Sequence, residues 1–257
     1  MLDDATIHPA LAAADLGRAR RWYAAKLGLE PAAEYPGVLV YEVGDSIFTM
    51  YESPNAGTAK NTVAAWSVDD LRAEMARLRA RGVRFDEYDI GGLRTVHGVA
   101  TYDDGALDAW FVDSEGNTIV LGQQPEARPN PVIPMLPASD LGRAKAWYSE
   151  KLGLDPDPAF DGQILVYRSG GRPRFVIYLT ALAGTAKNTV AVWRVRGLRE
   201  LVASLRGRGV VFEDDDFGEA KTIDGVLEHA GALNAWFTDS EGNILALAEG
   251  PEPYAGD

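Results

Sequence analysis

The 257-residue chain contains no cysteine and only three histidines. The first absence excludes a disulfide framework, thiolate metal sites and a cysteine nucleophile. The second leaves little imidazole for a metal centre. Basic residues are scarce as well: 25 Lys and Arg stand against 38 Asp and Glu, a formal net charge of −13. Phosphate binding needs a basic face, so nucleic acid is not an expected partner. No run of eighteen apolar residues occurs, so neither a membrane span nor a membrane partner is expected. The opening Met-Leu-Asp-Asp-Ala-Thr-Ile-His lacks the basic region and apolar core of a secretory signal, and a cytoplasmic protein is expected. No Gly-rich phosphate loop leads from a strand into a helix, and no Ser–His–Asp arrangement can be read. A hydrophobic share of 46% with 25% charged residues is nonetheless that of a folded globular chain.

What the chain does contain, it contains twice. Asp15-Leu-Gly-Arg-Ala-Arg-Arg-Trp-Tyr-Ala-Ala-Lys-Leu-Gly-Leu29 returns 125 positions later as Asp140-Leu-Gly-Arg-Ala-Lys-Ala-Trp-Tyr-Ser-Glu-Lys-Leu-Gly-Leu154. Each copy reads as a short helix. Asp15 caps its start, Gly28 ends it in the left-handed conformation, and Leu16, Ala19, Tyr23 and Leu27 form one apolar stripe. Ala56-Gly-Thr-Ala-Lys-Asn-Thr-Val63 returns as Ala183–Val190, and Ala109-Trp-Phe-Val-Asp-Ser-Glu-Gly-Asn117 as Ala235–Asn243. All six tryptophans fall into matching pairs, Trp22 with Trp147, Trp66 with Trp193 and Trp110 with Trp236. A repeat of this kind sets the architecture before any single residue does.

Between these motifs, hydrophobic alternation marks strands at 5–13, 38–43, 46–52, 62–68, 109–112 and 118–121, and a second helix runs from Leu71 to Gly82. The first 125 residues thus form two successive strand–helix–strand–strand–strand modules, and the second half repeats them. The expected domains are 1–124 and 132–250, joined by a proline-containing linker at 125–131 and followed by a tail at 251–257. The stretches 89–106 and 216–232 read as long loops of the kind that often cover sites. The acidic run Glu213–Asp216 reads as a solvated loop face.

These motifs resemble the vicinal oxygen chelate superfamily, which includes glyoxalase I, bleomycin-resistance proteins, fosfomycin-resistance enzymes and extradiol dioxygenases. The likeness rests on Asp-Leu-Gly-Arg-Ala-x-x-Trp-Tyr-x-x-x-Leu-Gly-Leu, Trp66-Ser-Val-Asp-Asp and Phe-x-Asp-Ser-Glu-Gly-Asn, where the family more often has Asp-Pro-Asp-Gly-Asn. It implies an α+β fold of two tandem domains, in each of which paired βαβββ modules form a curved, mixed eight-stranded sheet with a concave cup. Family enzymes hold a divalent metal in that cup through side chains on the first, fourth, fifth and eighth strands. The matching positions here are His8, Thr49, Val63 and Val120, and in the second half Ile133, Val176, Val190 and Ala246. Valines donate no lone pair, so neither a metal nor another cofactor is expected.

His8 alone can be read as a ligand-contacting or proton-transferring group, as a metal ligand, or as an ordinary strand-end histidine. Taking the family's positions as phase markers, the inward faces carry His8, Thr49, Tyr51, Val63 and Val120, with Tyr178 in the second half. Trp110 or Phe111 also faces inward, and Trp236, the counterpart of Trp110, is a further candidate ligand contact. Phe48, Met50, Trp66, Ile119 and Leu121 then face the helices. The resemblance implies a metal-independent small-molecule binder, possible roles including sequestration of an antibiotic or other organic metabolite. The alternative is a lyase, isomerase or dioxygenase with an unusual metal set or metal-free acid–base catalysis. The expected partner is a small organic molecule in a first-half cup against Tyr51 and Trp110, with His8 and Thr49 as polar anchors. The fused halves are expected to replace a homodimer, giving a monomer.

Overall fold

In the computed structural model, residues 2, 5–90, 93–124, 132–158, 164–169, 172–214, 221–229 and 231–250 are described. The expected linker 125–131 and tail 251–257 lie outside them. The first module comprises β1 (Thr6–Ala13), α1 (Leu16–Trp22) running into a π-helical turn at Tyr23–Leu27, β2 (Ala33–Tyr35), β3 (Val38–Val43) and β4 (Ser46–Glu52). The second comprises β5 (Thr62–Ser67), α2 (Leu71–Ala80), β6 (Asp89–Ile90), β7 (Leu93–Val96), β8 (Val99–Thr101), β9 (Leu107–Val112) and β10 (Thr118–Gln123). The third has β11 (Val132–Ala138), α3 (Leu141–Trp147) with its own π-helical turn at Tyr148–Leu152, β12 (Ile164–Ser169) and β13 (Arg172–Leu179). The fourth has β14 (Thr189–Arg194), α4 (Leu198–Gly207), β15 (Leu227–His229), β16 (Ala232–Thr238) and β17 (Ile244–Glu249). Among the described residues no helix is long and apolar enough to cross a membrane.

The strands form two curled, mixed sheets, so the fold is α+β as expected. In the unit Pro9–Met135 the orders are β1-β4-β3-β2 and β5-β10-β9-β8-β7-β6, and in the other unit β15-β16-β17-β14 and β12-β13. The first strand of a module runs parallel to its last, as in β1 with β4, β5 with β10 and β14 with β17. This order corrects one expectation. The two modules of the first half do not share a sheet: β1 to β4 belong to one sheet and β5 to β10 to the other. By contact the chain divides into Pro9–Met135 and a second unit of Met1–His8 with Leu136–Asp257.

Within the unit Pro9–Met135 the two modules meet through α1 and not edge to edge. Trp22 stacks on Phe111 at 6.2 Å, and Tyr23 packs on Phe48 at 5.7 Å and on the edge of Trp66 at 6.4 Å. Phe48, Met50, Ile119 and Leu121 are buried in the same core, as strand alternation predicts.

The Asp-Ser-Glu-Gly-Asn turn between β9 and β10 locks this packing. The buried Asp113 carboxylate accepts from the Tyr23 hydroxyl at 2.8 Å, from Asn117 Nδ2 at 2.8 Å, and from the backbone N–H groups of Glu115 and Asn117 at 2.8 and 2.9 Å. Asn117 Nδ2 also donates to the Ala12 carbonyl of β1 at 3.0 Å. Glu115 accepts from the Ala14 and Asp15 N–H groups at 2.9 and 3.2 Å, and both its oxygens face the Arg18 guanidinium at 2.8 Å. Burial alone would raise the pKa of Glu115, but Arg18, Ser114 and these N–H donors outweigh it and hold the carboxyl below its usual range.

The second repeated motif serves the first. Gly116 has φ +86°, and a Cβ there would lie 2.9 Å from the Cα of Gly57, so only glycine admits this loop-to-turn approach. The other unit builds the same lock with Tyr148, Asp239, Asn243, Glu241 and Arg143, Asn243 reaching the Pro137 carbonyl.

Residues 89–106, expected as loop, mostly add strands to the sheet. β7 and β8 form a hairpin, and β8 pairs with β9. Its turn puts His97 at φ 55° and Gly98 at φ 78°, the two left-handed positions that a tight hairpin demands. His97 is thus a turn residue, and its counterpart Asp224 at φ 51° takes the same conformation. Asn117→Ala removes two donors from a buried network and should lower unfolding free energy by about 1–3 kcal/mol, measured by urea denaturation. Asn243→Ala should cost a similar amount in the other unit.

Candidate functional site

The family's metal positions come first. His8 is buried on β1, and among the described residues its Nδ1 has no hydrogen-bond partner. Burial, and then the nearby charge of Arg194, push its pKa down to about 3, so the imidazole is neutral except in strong acid. Thr49 is buried on β4, Val63 on β5 and Val120 on β10. The second-half positions Ile133, Val176, Val190 and Ala246 are all hydrocarbon. Among the described residues no three His, Cys, Asp or Glu side chains converge. A resident metal of the family type wants several imidazole or carboxylate donors, and the residues present do not fit one.

The strand order also regroups the candidate ligand contacts. In the unit Pro9–Met135, Thr49 and Tyr51 lie on β4 in one sheet, and Val63, Trp110 and Val120 on β5, β9 and β10 in the other. In the other unit His8 lies on β1, Tyr178 on β13 and Trp236 on β16. Within the unit Pro9–Met135, Thr49 and Tyr51 thus stand on one sheet and Trp110 on the other. The physical reason is the lock already described, which joins the first two modules by their helix-side core and leaves their inner faces on different sheets.

Trp110 and Phe111 are resolved by their neighbours. Phe111 lies on the helix side, 6.2 Å from Trp22 and 6.0 Å from Trp66. Trp110 lies on the helix-free face, where it pairs across the sheet with Val120, and Val120 with Ala65. Tyr88 and Leu93 pack over this wall, the Tyr88 ring meeting Trp110 edge-on at 5.5 Å. The row beside it runs Ser67, Gly122, Asp108 and Ala100 across β5, β10, β9 and β8.

Asp108 was not legible as a site residue, because its face depends on which of Trp110 and Phe111 points inward. Alternation from Trp110 would have found it. Its Oδ2 accepts from the Tyr102 hydroxyl at 3.0 Å, and burial, only partly offset by that bond and reinforced by Asp104, pushes its pKa up to about 6. A carboxylate that titrates near neutrality on an apolar wall can hold a cation or move a proton.

In the repeat the corresponding row reads Arg194, Ala248 and Asn234. Arg194 lines a cleft of about 950 Å³ with Thr6, Arg196, Glu200 and Ser204. Glu249 borders the same cleft, but its carboxylate already caps α4, accepting from Gly197 and Leu198 N–H at 2.8 and 2.7 Å.

The neutral, buried state of His8 has a measurable consequence. Its folded pKa lies below the unfolded value, so its contribution to stability is present above pH 6.5 and is lost as pH falls toward 3. Between pH 7 and pH 4.5 the stability advantage of the parent over His8→Leu should shrink by about 2–3 kcal/mol in urea denaturation. An unchanged difference would contradict the burial of a neutral imidazole.

Residues 6–121 match the family model described as Glyoxalase/Bleomycin resistance protein/Dioxygenase superfamily. No curated protein matches the chain. Among solved structures, glyoxalase I from Zea mays is similar with a TM-score of 0.64 and 13% identity, over 96% of this chain and 94% of that one. A Bacillus subtilis protein described as a "putative dioxygenase" is similar with a TM-score of 0.62 and 16% identity, over 97% and 86% of the two chains. At such identities the likeness is one of fold, and it extends over both halves. The first half is thus similar in sequence to the glyoxalase/bleomycin-resistance/dioxygenase superfamily, and both halves share the tandem fold of these structures.

Proposed function

We propose that this protein binds a small organic molecule on a helix-free sheet face without the help of a metal, and that sequestration of an antibiotic or other organic metabolite is its role. The observation that carries this reading is the replacement of donor atoms by hydrocarbon at the family's ligand positions, Val63 and Val120 in particular, beside an aromatic wall. Ala65, Val120 and Trp110 offer apolar area, with Tyr88 and Leu93 packed against them. Asp108, Ser67 and Tyr102 supply the few polar groups that orient an organic ligand on such a wall. Trp110 is the largest side chain of this wall, and buried aromatic anchors commonly dominate binding energy. The superfamily's other chemistries route through donors that these positions do not provide, and fold alone does not select among them.

The test is a thermal-unfolding screen of organic compounds, run once with EDTA and once with Mn, Ni, Zn or Fe(II). A ligand at 100 times its Kd should add about 2.7 kcal/mol of stability, equally in both conditions. Stabilisation or turnover that appears only with an added divalent ion would overturn the reading.

A further inference from the structure

We infer that the row Ser67–Gly122–Asp108 is a cation-recognition subsite, taking an ammonium or amidinium group carried on an apolar or aromatic body. The inference rests on the ligand-binding reading above and specifies the chemistry of what is bound.

Three observations carry it. Among the described residues the Asp108 carboxylate has a hydrogen-bond partner in the Tyr102 hydroxyl but no cationic one; the other charge acting on it is the like charge of Asp104. The groups opposite it on the neighbouring strands are Gly122 and Ala100, both without charge. Asp108 as a residue is half-buried, while Trp110 and Val120 beside it are buried. Second, Gly122 leaves the carboxylate uncovered: a Cβ there would stand 3.0 Å from Asp108 Oδ1. Third, Trp110 and Tyr88 stand next along the wall, where an aromatic edge and face suit the hydrocarbon body of an organic cation.

The repeat acts as an internal control. In the same row the other unit has Asn234 for Asp108, Ala248 for Gly122 and Arg194 for Ser67. The module therefore folds without a carboxylate or a glycine at these positions, and the acidic set is not a requirement of the sheet. One row is negative and its copy positive. The formal net charge of −13 would further favour the approach of a cation.

Burial leaves Asp108 partly protonated near pH 6, and an incoming cation would restore the charged form. Binding of a permanently charged cation should therefore strengthen as pH rises from 5 to 7 and then level off. The experiment is calorimetric titration of the full chain with benzyltrimethylammonium, benzyl alcohol and phenylacetate at pH 5, 6, 7 and 8. The parent should prefer the quaternary ammonium by at least tenfold, with affinity rising several-fold between pH 5 and 7. Asp108→Asn should bind it at least tenfold more weakly and without that pH dependence.

This variant should fold, since its amide oxygen can still accept from Tyr102. At pH 8 it should melt higher than the parent, because an ionised Asp108 with a raised pKa opposes folding there. Gly122→Ala, which copies Ala248, should also weaken the ammonium. Equal ammonium affinity in the parent and Asp108→Asn, or a preference for phenylacetate, would overturn the subsite while leaving metal-independent binding intact. Failure of the parent to bind any of the three probes would likewise overturn it, and the broader thermal screen then decides the fate of the ligand-binding reading separately.

Discussion

A carboxylate taken out of water must have its oxygens filled, and Asp113 fills them with donors from two different modules. Tyr23 comes from α1, and Asn117 and two backbone N–H groups come from its own turn. Asn117 then reaches the carbonyl of Ala12 on β1, and Glu115 ties down Arg18 and the two residues before α1. Leaving any of these groups unpaired in a buried setting is costly, so the turn can sit in only one place relative to α1. The aromatic core of Trp22, Tyr23, Phe48, Trp66 and Phe111 closes around that fixed point. Because the other unit repeats the arrangement through Asp239, both halves are held by the same local chemistry.

A frame secured on its helix side leaves the opposite sheet face free to vary. The two copies use that freedom differently. In one, Asp108 lies beside Trp110; in the other, Asn234 takes its place and Arg194 brings the opposite charge. The positions that match the superfamily's metal ligands also carry another chemistry. Val63 and Val120 bury hydrocarbon where a ligand atom would stand, and His8 keeps an imidazole that burial and Arg194 hold neutral. The fold is thus retained through its lock while the inner faces hold side chains of another chemistry. Fold and site answer to different residues.

The repeat, the α+β class, the caps at Asp15 and Gly28 and the helix-facing set of Phe48, Trp66 and Leu121 were legible in the sequence. Each depends on local rules: a cap needs only its own helix start, and alternation needs only its own strand. The structure bears these out, with Asp15 accepting from Arg18 N–H and Gly28 at φ 75°. Length also misled. Residues 89–106 look like one long loop, yet a His-Gly turn folds them into the β7–β8 hairpin, because sheet pairing supplies partners that a short polar stretch cannot advertise.

What only the tertiary structure decided was which strands share a sheet and which face of β9 is turned from the helices. Sheet pairing is a contact between distant segments, and four modules of one pattern offer several pairings that satisfy the same alternation. The choice fell to the buried Asp113 lock, which sets α1 against β9 and so sends Phe111 to the core and Trp110, with Asp108, to the helix-free face. The sequence determined the modules, their duplication and the scarcity of metal donors. The folded chain determined which of those residues meet, since a burial energy shared between distant groups has no signature in either segment alone.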